Sequence, residues 1–423
     1  MNKFCFYSIF IGVMLLILSC KNSNQKQQGD QFQGIDSVAF PVGANCQNPG
    51  SYNYLIQMEE AKVAFLEDIL DSTYAVKFTP LEVDDSRNLL GEISKLWDYS
   101  DSLIYIADLQ IANKVYGFGR DGKMKFVVGE IGEGPGQYKQ LWDVQYNQHL
   151  KRLELWDYPQ HKMLYFDLAG KFISEQKINQ EIVSFYPITK DWYIFHMEGR
   201  DHLGQKKPLL RYSDITGEKI MKEGAWEYGV VDAWPSKQEF SEYAGGVYFL
   251  RAMMDTIFWI GPVNRQICPD YVIDFGDKRI PEEAKKESDL MAAANLIQNN
   301  NSSFSTGNLV IGRTYLHFEW IANDIEDKYF HFVDRFQFQS YKIPAQQFSI
   351  FGIRIERVNF VSKHDFVGYS VGRNVDKSKL QIALENKHIH PDTKADLQKI
   401  LDIQDPEMPF TVRFRLMHPE TYK

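Results

Sequence analysis

Cysteine is scarce in this 423-residue chain. There are four, and two of them, Cys5 and Cys20, fall at the extreme N-terminus. Only Cys46 and Cys268 remain, 222 positions apart, so a disulfide framework is excluded and at most one bridge can form; two buried thiols fit the sequence equally well. No Cys-x-x-Cys pair offers a metal or redox motif. Positive charge is also in short supply, with 47 Lys and Arg against 56 Asp and Glu for a net −9. With no basic stripe to neutralise phosphates, nucleic acid is excluded as a partner, and so is adhesion to anionic lipid by charge. The one long apolar run, Phe4 to Leu18, is too short to span a bilayer. His-Glu-x-x-His and Gly-x-Ser-x-Gly are both missing, and the glycine-rich stretch lacks the Lys-Ser/Thr and following helix of a phosphate loop.

The N-terminus carries an address. Lys3 precedes the apolar run, and small Ser19 comes directly before Cys20. This reads as a signal peptide over residues 1–19. Ile17-Leu18-Ser19-Cys20 resembles a bacterial lipobox, whose cysteine becomes the lipidated first residue of the mature protein. Cys20 is therefore the expected lipidation site, and the lipid is the only expected membrane contact. Residues 20–48 read as a flexible tether, polar from Lys21 to Gly34. Cleavage removes Lys3 alone among the charged residues and moves the net charge to −10. Lys21-Asn22-Ser23-Asn24 contains no acid, which favours the periplasmic side of an outer membrane.

Beyond the tether the chain is rich in aromatic residues, at 14%, which suit half-buried strands. It also repeats. Leu96-Trp97-Asp98, Ile104-Tyr105-Ile106-Ala107-Asp108 and Asp121-Gly122-Lys123 return as Leu141-Trp142-Asp143, Leu153-Glu154-Leu155-Trp156-Asp157 and Ala169-Gly170-Lys171, displaced by 45, 49 and 48 positions. A period in the forties with four short strands per unit is the mark of a β-propeller blade. The expected fold is all-β: six blades of four antiparallel strands over residues 49–423, with early strands near Ala75 to Phe78 completing the last blade. Asp121-Gly122, Ala169-Gly170 and Thr216-Gly217 should turn the outer hairpins, glycine supplying the positive φ. Two stretches break the rhythm. Pro281 to Gln298 and Pro391 to Ile403 each open on proline and read as helical insertions that cap one face of the ring.

Gly132-Glu133-Gly134-Pro135-Gly136-Gln137-Tyr138 lies between the two clear repeats and resembles the junction of NHL-type repeats. Thr79-Pro80-Leu81-Glu82, Asp255-Thr256-Ile257-Phe258, Pro269 to Gly276 and Gln404-Asp405-Pro406 extend the likeness. From about residue 50 to its end the chain resembles the six-bladed, TolB-like propeller lipoproteins of Bacteroidota. That resemblance implies fold and location more than activity. Gln137 stands where the pattern has glutamate, and the "DNP" asparagine is lost.

Candidate chemistry is sparse. Gly132, Gly134, Pro135 and Gly136 read as a structural seam permitting a tight crossing between blades. The loops that share a propeller face with this seam would present Glu130, Glu133, Gln137, Tyr138, Tyr158 and His161, together with Gln110 to Asn113. Rings beside amides and acids suit sugar or peptide recognition. Asp98, Asp108, Asp143, Asp157 and Asp167 recur by repeat position; they would bind Ca²⁺ only by converging on the central channel, and otherwise serve as turn caps. His388-Ile389-His390 precedes a helix and reads as a loop. No cofactor and no metal site is expected, Ca²⁺ being the one ion the acidic pattern admits. The function expected is a non-catalytic cell-envelope module that binds a glycan, peptide or envelope protein in glycan uptake or envelope sensing. A metal-dependent hydrolase or lyase and a structural scaffold of an outer-membrane complex are the alternatives.

Overall fold

A computed structural model describes residues 54–83, 90–97, 102–200, 206–225, 238–262, 266–287, 289–323, 326–362 and 364–417. The signal peptide, Cys20, the tether and Cys46 lie outside these residues, as does Asp98.

Six small antiparallel sheets follow one another around a ring. Blade 1 runs Lys95–Trp97, Leu103–Asp108, Lys114–Gly119 and Met124–Val128 from axis to rim, and blade 2 runs Leu141–Asn147, Arg152–Asp157, Lys162–Phe166 and Phe172–Lys177. Blade 3 comprises Ile182–Pro187, Tyr193–Arg200, Lys206–Ser213 and Ile220–Ala225. Blade 4 comprises Phe240–Tyr243, Gly246–Phe249, Thr256–Ile260 and Ile267–Asp274. Blade 5 holds Phe304–Ile311, Tyr315–Ile321, Lys328–Asp334 and Ser340–Pro344. Blade 6 begins with Arg357–Ser362, Asp365–Val371 and Pro409–Phe414.

Burial explains the sequence pattern. Middle strands are covered on both faces by neighbouring blades, so Lys162–Phe166 and Tyr315–Ile321 are buried at every position, polar Lys162, His317 and Glu319 included. Rim strands such as Phe172–Lys177 are mostly exposed and polar. Gly122, Gly170 and Gly217 turn the outer hairpins of blades 1 to 3 with φ of 80°, 79° and 73°, as the repeat requires.

The ring closes through the early chain. Lys77–Pro80 supplies the rim strand of blade 6, pairing antiparallel with Pro409–Phe414 through Lys77↔Arg413 and Phe78↔Val412. The segment before it does more than the sequence suggests. Tyr54–Gln57 adds a parallel strand to the rim of blade 4, and Lys62–Val63 adds one to blade 5. Residues 54–80 thus run along the outer edge of three successive blades and cover strand edges that would otherwise be open.

The first insertion is two helices, not one: α1, Glu282–Lys286, and α2, Leu290–Asn299. The break has a local cause. Asp289 adopts an extended backbone and accepts the Ala292 N–H at 2.8 Å, which starts a new helix. The second insertion lies within blade 6 and also holds two helices, α3, Lys377–Glu385, and α4, Pro391–Leu401. Instead of capping a face of the ring, α4 lies along the closing strand: Thr393 Oγ1 donates to Val76 O at 2.9 Å and Asp396 accepts the Phe78 N–H at 3.3 Å. Leu397 and Ile400 are buried in the same apolar cluster as Phe78, Phe348 and Phe410.

Candidate functional site

In a ring of up-and-down blades, all inner strands run the same way, so the ring has one face where they begin and another where they end. The seam and its neighbours lie at the first. Glu130–Ile131 pairs in parallel with Gln137–Tyr138, which draws residues 130–138 into a compact loop. Gln137 Oε1 accepts the Gly134 N–H at 2.9 Å, and a Cβ on Gly132 would stand 2.3 Å from that oxygen. Pro135 and Gly136 make the turn, Gly136 with φ of 75° and its N–H donated to Glu175 at 3.1 Å.

Tyr138 is not part of an exposed face. Its ring is fully buried between blades 1 and 2, and burial pushes its hydroxyl pKa well up. The parallel bridge at Gln137–Tyr138 turns the ring inward. Glu130 and Glu133 are exposed, and a 2.7 Å ion pair with Lys139 holds the Glu133 carboxyl below its usual pKa. Tyr158 stands 4.9 Å from exposed Trp142 and 5.8 Å from His161, centroid to centroid. The structure therefore gathers Trp142, Tyr158 and His161 into one aromatic row, while Gln137 is used up inside the seam.

The repeated acids do not converge. Asp108 accepts the N–H groups of Gly91, Glu92 and Ile111. Asp157, in the same place one blade on, accepts those of Lys139 and Gln140. Asp167 caps its hairpin through Ala169 and Lys171. These are turn caps. His390 caps α4 by accepting the Asp392 N–H at 3.2 Å, and His388 lies in the loop before it. Among the described residues no three His, Cys, Asp or Glu side chains gather as a metal cluster. Cys268 is buried and disulfide-bonded.

Asp143 differs from the other acids. It sits on an inner strand and forms a buried ion pair with Lys95 of blade 1. Its other oxygen accepts the Phe185 N–H of blade 3 at 2.9 Å, and burial raises its pKa against the pull of Lys95. Similar side-chain ties continue around the axis. Ser184 and His196 of blade 3 both bond Glu239, just before blade 4, His196 at 2.8 Å. Ser241 of blade 4 accepts the Ile311 N–H of blade 5 at 2.9 Å.

Three of these residues, Lys95, Ser241 and Ile311, line a cavity of about 360 Å³ to which every blade contributes. Lys95 and Trp97 come from blade 1, Gln145 from blade 2, Tyr186 from blade 3, Phe240, Ser241 and Glu242 from blade 4, Ile311 from blade 5, and Asn359 and Phe360 from blade 6. Most lie in the later part of their inner strands, so the cavity is an axial pocket toward the face opposite the seam. Asn359 is the notable wall. It is 1% exposed, and among the described residues neither Oδ1 nor Nδ2 has a hydrogen-bond partner. Buried amides are ordinarily satisfied.

One family model matches residues 57–407, nearly the whole propeller. The chain belongs to the DUF4934 family, a domain of unknown function. No curated protein matches it. The DUF4934 domain is similar in fold to a crystal structure of a protein named as exported from Bacteroides fragilis, at 16% identity and a TM-score of 0.64, covering 86% of this chain and 99% of that one. A DUF4221-family structure from Bacteroides vulgatus aligns over 85% of this chain and 99% of that one, at 9% identity and a TM-score of 0.49.

Nothing in the loop-based reading of the sequence pointed to the axial pocket of this DUF4934 domain. The available signal was small: a polar residue set between apolar ones on an inner strand, as in Val358-Asn359-Phe360-Val361 and Val144-Gln145-Tyr146.

Proposed function

We propose that this protein is a lipid-anchored propeller of the bacterial cell envelope that binds a small ligand in its axial pocket without transforming it. The observation that carries the binding role is Asn359, whose amide is buried in a pocket walled by all six blades and has no partner among the described residues. An unpaired buried amide costs about 1–3 kcal/mol, and a ligand that bonds it recovers that energy. The address rests on the signal segment and Cys20, on the bonded Cys268, which suits an oxidising compartment, and on a fold shared with a protein named as exported. Glycan uptake or envelope sensing is the setting such a module suits. A partner protein would find exposed Trp142, stacked beside half-buried Tyr158 and His161, next to Glu130 and Glu133 on the opposite face.

Two measurements test this. Cys20→Ser should move the protein from the membrane to the soluble fraction of bacterial cells; continued membrane association contradicts the lipid anchor. The mature chain without its lipidated Cys20, residues 21–423, should retain a low-molecular-mass compound from an envelope extract, detected by mass spectrometry after denaturation. Retention of none contradicts the binding role.

A further inference from the structure

We propose that the ligand of the axial pocket is a neutral saccharide of one or two units. This rests on the reading of the pocket as a binding site and specifies its chemistry. Size is the first constraint. A cavity of about 360 Å³ lies at the small end of ligand pockets, so it admits a mono- or disaccharide and excludes a longer chain.

Charge is the second constraint. The ionisable walls are already matched within the protein. Lys95 is paired with Asp143. Glu242 accepts from the Tyr186 hydroxyl at 2.8 Å and from Gln148 Nε2 at 2.6 Å. An anion would compete with Asp143 for Lys95, and a cation would compete for an acid already engaged. A neutral ligand leaves both pairs intact and avoids desolvating a further charge.

Hydrogen-bond chemistry is the third. Asn359 offers one acceptor and two donor hydrogens on a single planar group. Two adjacent sugar hydroxyls, each able to donate and accept, match that pattern. The backbone explains why this side chain is aimed there. Val358 pairs with Gly368 and Phe360 with Val367, so Asn359 is the extra residue of a β-bulge, a device that redirects a side chain out of the regular alternation. Ser241 and Gln145 add polar groups on facing strands, and Trp97, Phe240 and Phe360 supply apolar surface for the C–H face of a sugar ring.

The test is calorimetric titration of the mature chain with D-glucose, D-galactose, N-acetyl-D-glucosamine and maltose. D-glucuronate and glycylglycine serve as charged probes of other classes. Asn359→Leu removes both unpaired groups at similar volume and should not harm folding. Glu133→Gln alters the opposite face. The expected result is binding of at least one neutral sugar by the wild type, weakened at least tenfold by Asn359→Leu and unchanged by Glu133→Gln. Sugar binding that Asn359→Leu leaves intact overturns the assignment of the site. Binding of only D-glucuronate or glycylglycine, lost in Asn359→Leu, overturns the saccharide class and leaves the axial binding role standing. Binding of no probe overturns the saccharide class as well, and retention of a compound from the envelope extract then decides the binding role separately.

Discussion

Lys95 and Asp143 form a buried ion pair that joins the innermost strands of blades 1 and 2, and Asp143 reaches on to the backbone of Phe185 in blade 3. One carboxylate thus links three blades at the axis. Removing the ammonium leaves a charge in the interior with nothing to balance it. Lys95→Met should destabilise the protein by about 3–5 kcal/mol, while the double change Lys95→Met/Asp143→Leu should recover much of that loss. Chemical denaturation of the three proteins checks both statements, and equal losses in the single and double variants would contradict them.

Acid should weaken blade 5 before any carboxylate of ordinary pKa is protonated. His317 and His331 are fully buried among Phe318, Phe330 and Phe332, and burial lowers their pKa from 6.5 to about 4 and about 3. Unfolding frees both rings to take protons near pH 6.5, while the folded state refuses them. The unfolded state therefore binds more protons, and stability falls as pH drops from about 6.5 toward 4. The slope is at most about 1.4 kcal/mol per pH unit for each ring. Glu319, held ionised by Lys328 and Arg357 against the pull of burial, adds loss of the same sign lower down. His331→Phe should flatten the upper part of the profile in denaturation midpoints measured from pH 7 to 4.5.

Gly122 and Gly245 both have positive φ, of 80° and 75°, but only one is crowded. A Cβ at Gly122 would come within 1.8 Å of the Pro80 carbonyl oxygen on the closing strand, whereas none of the described residues lies within 4 Å at Gly245. Gly245→Ala should cost only the conformational penalty, about 1–2 kcal/mol. Gly122→Ala should cost clearly more, because the closing strand must shift. Thermal denaturation separates the two, and equal melting points would show that the closing strand yields freely.

Cys268 is disulfide-bonded. In the proposed lipid-anchored form, which loses Cys5 and carries its lipid on Cys20, Cys46 is the only other cysteine. Peptide mapping of protein isolated without reductant should yield a Cys46–Cys268 peptide. Alkylation of Cys268 before reduction would contradict it.

Much of this fold could be read from local chemistry. Leu153-Glu154-Leu155-Trp156-Asp157 and the Asp-Gly or Ala-Gly hairpins announce a strand and its turn within a few residues, and their displacement announces the blade. What stayed hidden depends on distant partners. Ile182–Pro187 has lost the Trp-Asp landmark of its counterparts, so its place at the axis follows only from pairing with Tyr193–Arg200. Tyr54–Gln57 and Lys62–Val63 are strands only because the rims of blades 4 and 5 accept them. Lys377–Glu385 shows little apolar pattern, its core contacts being Leu380 and Ala383. The site follows the same rule. Tyr138 looked exposed because it borders a glycine-rich loop, but its direction is set by a two-residue parallel bridge. The axial pocket joins Lys95, Gln145, Ser241 and Asn359 from four blades, and no local window contains that set.

The most direct test of the axial site is a crystal structure of the mature chain grown after incubation with the neutral sugars named above. The account predicts density for a sugar in the axial pocket, with hydroxyls bonded to Oδ1 and Nδ2 of Asn359 and the Lys95–Asp143 pair intact. Only ordered water on the Asn359 amide, with a sugar bound elsewhere or not at all, would contradict it.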